Sequence, residues 1–217
     1  ACGGGGGGPI VQPPPANRAP VAEANKTLTI DEDATNTALE IATPTDADGN
    51  SLTITVTAVP SGGTLATADG TAVTTSSTLT ITQLTGLVFT PDTNLNDDTT
   101  AFGTFTYTVS DGSLTDSSTV TISVTPINDA PELVGIMEFA VDENSTAVAT
   151  ISATDVDGDT LTYSVTGGDD HTLFAIDASS VALSFITAPD YDNPGDSYQD
   201  TIYLAQVPVS EGNGVNG

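Results

Sequence analysis

The chain repeats itself. Asn17-Arg18-Ala19-Pro20 returns as Asn128-Asp129-Ala130-Pro131, and Asp31-Glu32-Asp33-Ala34-Thr35 returns as Asp142-Glu143-Asn144-Ser145-Thr146, each 111 residues further on. DADGNSLTITVT from Asp46 returns as DVDGDTLTYSVT from Asp155, 109 residues on. Three segments in one order at nearly one spacing mean two copies of a single domain, joined at about Asn128 to Pro131. The expected division is a linker over 1–20, a first repeat over 21–128 and a second over 129–217. One difference separates the copies. Val109-Ser110-Asp111-Gly112 is followed by a strand-like run from Ser113 to Thr125, whereas its counterpart Val209-Ser210-Glu211-Gly212 is followed by five residues. Either the sequence is part of a longer product, or the second repeat lacks its last strand and presents an edge that another chain could fill.

Within each copy apolar residues alternate with polar ones, the period of a half-buried strand. Leu52, Ile54 and Val56 face one way and Thr53, Thr55 and Thr57 the other. Phe105, Tyr107 and Val109 alternate with threonines, as do Val120, Ile122 and Val124, and in the second copy Leu161, Tyr163 and Val165. With 38 threonines and Asp-Gly and Gly-Gly turns between short runs, the expected fold is all-β. Each copy is expected to form an antiparallel Greek-key β-sandwich of the Ig type. No segment carries a helical period.

Charge narrows the function. There are 29 Asp and Glu against 2 Lys and Arg, a formal net charge of -27, and no basic side chain follows Lys26. A phosphate backbone is the least suitable partner for such a surface. The carboxylates can be neutralised only by water, hydrogen bonds or a bound cation, so a divalent metal is suspected on charge alone. They gather at turns between strands, and turns at one end of a sandwich converge. Calcium takes six to eight oxygen ligands at about 2.3–2.6 Å, so several such loops can build one site. Asp155-Val156-Asp157-Gly158-Asp159 fails as an EF-hand, because its glycine falls one place early and Thr166 stands where the bidentate Glu belongs. Asp-Gly pairs also serve as plain turn residues without any metal.

Residues 3–20, GGGGGGPIVQPPPANRAP, read as a disordered flexible-then-stiff linker. Ala1-Cys2 before it resembles a bacterial lipoprotein amino terminus, which implies lipid attachment at Cys2; an incidental free thiol is the other reading. Catalysis lacks parts: His171 is the only histidine and has no cysteine or basic partner, and Trp is absent. The chain is expected not to be an enzyme.

The residues also resemble the cadherins and the bacterial cadherin-like tandem repeats over nearly everything after Pro20. Asp142-Glu143-Asn144, Ala153-Thr154-Asp155-Val156-Asp157, Phe174-Ala175-Ile176-Asp177 and Asp190-Tyr191-Asp192 are similar to that family's acidic motifs. In the first copy Phe89 to Asp92 and Val109 to Gly112 are similar to the bacterial form. The resemblance implies Ca2+ between consecutive repeats. Its ligands would be Glu32, Asp92 and Asp111 of the first copy, Asn128 and Asp129 of the linker, and Asp155 and Asp157 of the second copy. Glu143, Asp190 and Asp192 would serve a following junction. Departures at Pro126, Ala130 and Asn94 imply fewer or weaker ions than a full cadherin junction holds.

Two functions from different classes follow. One is an adhesion module at a bacterial cell surface or outer membrane, lipid-anchored or extracellular. Calcium would stiffen it for homophilic or polysaccharide contact. The other is a non-catalytic stalk that presents a further domain. Glycan binding by a sandwich face is a third, with Tyr191, Tyr198 and Tyr203 as its aromatics.

Overall fold

The computed structural model describes residues 14–97, 101–135, 137–199 and 201–211, so Cys2 and the glycine run lie outside the described residues. The chain divides into two compact units, Ala1–Pro126 and Ile127–Gly217. Both are built from strands.

In the first unit β1 (Lys26–Asp31), β3 (Thr53–Ala58), β5 (Thr78–Leu79), β7 (Thr104–Ser110) and β8 (Thr115–Thr125) form one sheet. Its order is β1-β8-β7-β3-β5. The second sheet holds β2 (Thr37–Ala38), β4 (Gly63–Ala66) and β6 (Val88–Pro91) in the order β2-β6-β4. The chain passes back and forth between the sheets, and the apolar set of each strand meets the other sheet. Along β7, Phe105, Tyr107 and Val109 are fully buried, and along β8 Val120, Ile122 and Val124 join them. Thr106 and Thr119 pair across the other face at 3.2 Å, and Thr108 and Ser117 at 3.0 Å. Threonine suits these positions because its branched Cβ fits the pleat while its hydroxyl finds a cross-strand partner. Pairing is antiparallel throughout this sheet except that β1 runs parallel to β8, from Lys26 opposite Val120 to Asp31 opposite Thr125.

Two features differ from the sequence expectation. Ile81–Thr85 forms a five-residue helix, α1, too short to show a period; its signal is the capping box in which Thr80 and Gln83 bond each other's backbone N–H. Asn17 to Pro20, assigned to the linker, instead belong to the first unit: Asn17 and Arg18 bond Asp111 and Asp48, and Pro20 is buried.

The second unit contains β9 (Glu132–Leu133) on β11 (Ala153–Thr154), and β12 (Leu161–Tyr163) on β15 (Val209–Glu211). Its three-stranded sheet is β10 (Ala147–Thr150), β14 (Ala182–Phe185) and β13 (Phe174–Ile176). Phe174, Phe185 and Tyr203 stack as its aromatic centre, with Phe185 4.5 Å from Phe174 and 4.9 Å from Tyr203 between ring centroids. Only Ile151, Phe174, Leu183 and Phe185 of this core are buried outright. Ala205, Val207 and Val209, which the repeat aligns with Phe105, Tyr107 and Val109, stay half-buried.

Candidate metal centre

Each copy turns at its D-x-D-G segment in the same way. Asp46 Oδ1 accepts the N–H of Asp48 at 2.9 Å and of Asn50 at 3.0 Å; Asp155 Oδ1 accepts the N–H of Asp159 at 3.0 Å. Gly49 and Gly158 complete the turn at φ 78° and 77°, a conformation costly for a residue with a Cβ. The turn brings its second acidic residue onto the chain entering the unit: Asp48 Oδ2 accepts Arg18 N–H, and Asp157 Oδ2 accepts Asp129 N–H, both at 2.7 Å. The preceding asparagine reaches the end of the opposite strand. Asn17 Nδ2 donates to Asp111 Oδ2 at 2.8 Å, and Asn128 Nδ2 to Glu211 Oε1 at 2.5 Å.

The two clusters share this frame and differ in charge. In the first, Arg18 lies against Asp48, with Nη2 2.8 Å from Oδ1 and 3.0 Å from the Ala47 carbonyl oxygen. Asn50 Nδ2 donates to Asn17 Oδ1. The hydrogen bonds from the Arg18 side chain and backbone hold the Asp48 carboxyl below the usual carboxylate range, and Asp48 raises Arg18 in return. Asp111 is also held low, by the N–H groups of Leu114 and Ser113 and then by Asn17. In the second unit Asp129 stands where Arg18 does and Asp159 where Asn50 does. Five carboxylates, those of Asp129, Asp155, Asp157, Asp159 and Glu211, then belong to this frame, and the unit's sequence holds no Lys or Arg. Oxygens of Asp155, Asp159 and Glu211 lie within 4.8 Å of one another. Asp155 Oδ2, Asp159 Oδ2 and Glu211 Oε2 are buried and accept no hydrogen bond.

Such oxygens are costly to leave unpaired out of water. One ion at about 2.3–2.6 Å from each would hold ligands no farther apart than about twice that distance, which this spacing satisfies. An all-oxygen carboxylate and amide set suits a hard cation of the calcium type rather than a transition metal. Asn128, Asp129 and Asp157 lie beside this trio, through the Asn128–Glu211 and Asp129–Asp157 hydrogen bonds. Asp159 and Glu211 were absent from the sequence expectation. Their signals were the third acidic residue of DVDGD and the alignment of Glu211 with Asp111.

The remaining expected ligands fall elsewhere. Asp111 is separated from Glu32 and Asp92: it sits beside the start of β8, while Glu32 donates its N–H to Thr125 at the end of that eleven-residue strand. At about 3.3 Å per residue, roughly 30 Å lies between those ends, so one ion cannot take both. Glu32 is buried and accepts both Oε contacts from Asn96 Nδ2, at 3.3 and 3.1 Å. Exposed Asp92 opens the turn leading to that asparagine. In the second unit Glu143, Asp190 and Asp192 do come together, through Tyr191 N–H on Glu143 Oε2 at 3.3 Å and Asp192 N–H on Asp190 Oδ1 at 3.0 Å. All three are exposed. His171 opens the short 3-10 helix His171–Leu173, its Nδ1 2.8 Å from the Gly168 carbonyl oxygen.

Strand pattern, sheets and repeat together make this an all-β protein, with an Ig-like two-sheet sandwich in its first unit. Residues 17–123 match a family model described as "Bacterial Ig domain". Similar solved structures include human Protocadherin-24 EC1-2 Form II, at 18% identity over 89% of this chain and 86% of that one, with a TM-score of 0.48. Mouse Cadherin-23 EC22-24 is similar at 20% identity over 90% of this chain and 67% of that one, with a TM-score of 0.44. No curated protein matches this chain.

Proposed function

We propose that this chain is a calcium-binding module of a bacterial cell surface, acting in adhesion between cells or to a surface polysaccharide. The observation that carries the reading is the trio of orphaned oxygens on Asp155, Asp159 and Glu211, set against the same frame in the first unit where Arg18 supplies a positive charge. Asp155, Asp159 and Glu211 would hold the ion, with Asn128, Asp129 and Asp157 completing its shell. When bound, calcium supplies the positive charge that the second unit's sequence lacks. Asn128 and Asp129 belong to the segment entering the second unit, so their attachment to Asp157 and Glu211 decides how firmly that segment is held. Without a cation five carboxylates repel one another there, and that repulsion works against the hydrogen bonds of the entering segment. A surface role fits the acidic repeats and the resemblance to tandem surface repeats. Among the described residues, no helix is long and apolar enough to cross a membrane.

Direct calcium titration tests the site. The wild-type chain takes up calcium in preference to magnesium, and Asp159→Asn weakens uptake at least tenfold. Failure of the variant to change uptake places the ion elsewhere. Exchanging the charge pattern tests the frame: Arg18→Asp combined with Asn50→Asp gives the first unit the acidic set of the second. It adds one further bound calcium per chain, read by equilibrium dialysis. An unchanged stoichiometry means that the turn geometry, and not charge, limits binding. Adhesion itself is read by sedimentation with and without calcium: self-association that rises with calcium supports it, whereas a chain that binds calcium and stays monodisperse is a stiffened stalk.

A further inference from the structure

Asn25-Lys26-Thr27 and Asn144-Ser145-Thr146 each place an asparagine two residues before a threonine with no proline between. That is the acceptor pattern of N-glycosylation, in which the asparagine amide takes the sugar. A carboxylate also stands two residues before each asparagine, Glu23 and Asp142, a position where bacterial oligosaccharyltransferases select acidic residues. A chain with 38 threonines meets so short a pattern by chance, so the fold has to separate acceptor from coincidence.

Asn25 is engaged by the first sheet. Its Oδ1 accepts the Thr119 N–H of β8 at 2.9 Å. Lys26 and Thr27 already belong to β1, opposite Val120 and Thr121, and Lys26 Nζ lies 3.2 Å from Glu23 Oε1. Asn144 stands instead in a turn, closed by the Ser145 N–H on the Asp142 carbonyl oxygen at 3.2 Å. Its φ of 62° is a left-handed value that asparagine tolerates at the third place of a turn. Asn144 and Thr146 are both exposed. The backbone here is anchored, by Asn144 N–H on the Pro189 carbonyl oxygen at 2.9 Å and Phe185 N–H on that of Thr146 at 2.7 Å. The Asn144 amide and the Thr146 hydroxyl make no hydrogen bond to any described residue.

We propose that Asn144 is an N-glycan acceptor, modified on the folded chain by transfer from a polyisoprenyl diphosphate-linked oligosaccharide, and that Asn25 is not. In the transfer Asn144 Nδ2 bonds to C1 of the first sugar and the C1–O bond to the diphosphate breaks. The diphosphate leaves with that electron pair, and the displaced amide proton passes to a base of the transferase. An amide nitrogen is a poor nucleophile while its lone pair is delocalised into the carbonyl, so the enzyme has to grip and twist the group. A free side chain on an exposed turn permits this, whereas one bonded to a neighbouring strand does not. The inference rests on the surface reading in one respect, that only an exported chain meets such a transferase in its cell.

The whole folded chain is incubated with a purified bacterial oligosaccharyltransferase and its lipid-linked oligosaccharide, then mapped by mass spectrometry. Synthetic peptides of residues 21–29 and 140–148 are treated alongside. Both peptides are expected to take glycan, because both hold the pattern. The folded chain takes it at Asn144, with under a tenth of that occupancy at Asn25. Asn144→Gln abolishes the modification. Because glutamine can disturb the turn, Thr146→Ala and Thr146→Ser form a second pair: the first loses the glycan and the second keeps it. An unmodified 140–148 peptide, a folded chain bare at Asn144, or equal occupancy at the two asparagines overturns the proposal. Enzyme and donor are supplied in this assay, so the acceptor and the surface reading fail separately.

Discussion

Millimolar calcium raises the unfolding midpoint of the second unit by about 10 °C or more, chelator abolishes the rise, and Asp155→Asn or Asp159→Asn removes most of it. The transition is followed by tyrosine fluorescence, because four of the five tyrosines, 163, 191, 198 and 203, lie in that unit. The direction follows from linkage: an ion that binds the folded cluster and not the unfolded chain stabilises the folded state, by about 2.7 kcal/mol at one hundred times its dissociation constant. For a domain of this size that is on the order of 10 °C or more. Part of the rise comes from relief of repulsion among five carboxylates, and magnesium or added sodium chloride reproduces only that screened part. Calcium specificity comes from the buried oxygens of Asp155, Asp159 and Glu211, which no hydrogen bond occupies. Magnesium demands a tighter octahedral shell and keeps its water, so it fits a wide carboxylate set less well. Equal shifts with calcium and magnesium, or a calcium shift untouched by Asp159→Asn, would sink the assignment. The first unit, where Arg18 already lies against Asp48, serves as the internal control and shifts little.

Much of the sandwich was legible because period two is a physical necessity of a sheet with one buried face. Phe105-Thr106-Tyr107-Thr108-Val109 could be read directly, and those three apolar side chains are fully buried. The helix α1 was not, since five residues give no period and only Thr80 and Gln83 mark it. Site residues were legible where the repeat supplied a second copy to compare. Asn128, Asp129, Asp155 and Asp157 were named on the resemblance and are brought together within the second unit. Asp111 was grouped with Glu32 because sequence motifs carry no information about which end of a strand a turn occupies. The length of β8 separates them. Arg18 was read as one of two scarce cations and as part of the repeated Asn17–Pro20 segment, but not as a partner of Asp48. Its position against Asp48 depends on a backbone hydrogen bond between residues thirty apart, which no local pattern encodes.

Asp170→Ala is expected to cost the second unit about 3 kcal/mol, on the order of 15 °C in its unfolding midpoint. The Asp170 side chain is among the most buried charged groups in the chain, at 2% exposure. Burial pushes its carboxyl upward, yet the N–H groups of Leu204 and Ser197, at 2.9 and 2.7 Å, outweigh burial and hold it below the usual range. Removing it leaves those two donors without their acceptor and frees the loop from Ser197 to Leu204, which leads into the strand ending at Glu211. Asp170→Asn keeps the shape but turns an amide against one of the donors, so it recovers only part of the loss. The sign with pH follows from the depressed folded value. The ionised carboxylate stabilises the fold fully above the unfolded aspartate pKa of about 4, and that stability is lost as pH falls through the lower folded value. Wild-type chain therefore loses second-unit stability on acidification below about pH 4, and the asparagine variant shows a flatter decline over the same window. Some slope persists in the variant, because Ser180 N–H and hydroxyl and Ser179 N–H hold Asp177 low in the same unit. A variant as acid-sensitive as wild type would assign the acid response to other carboxylates. A midpoint loss of only a degree or two in Asp170→Ala would mean that water replaces the carboxylate and that the loop does not depend on it.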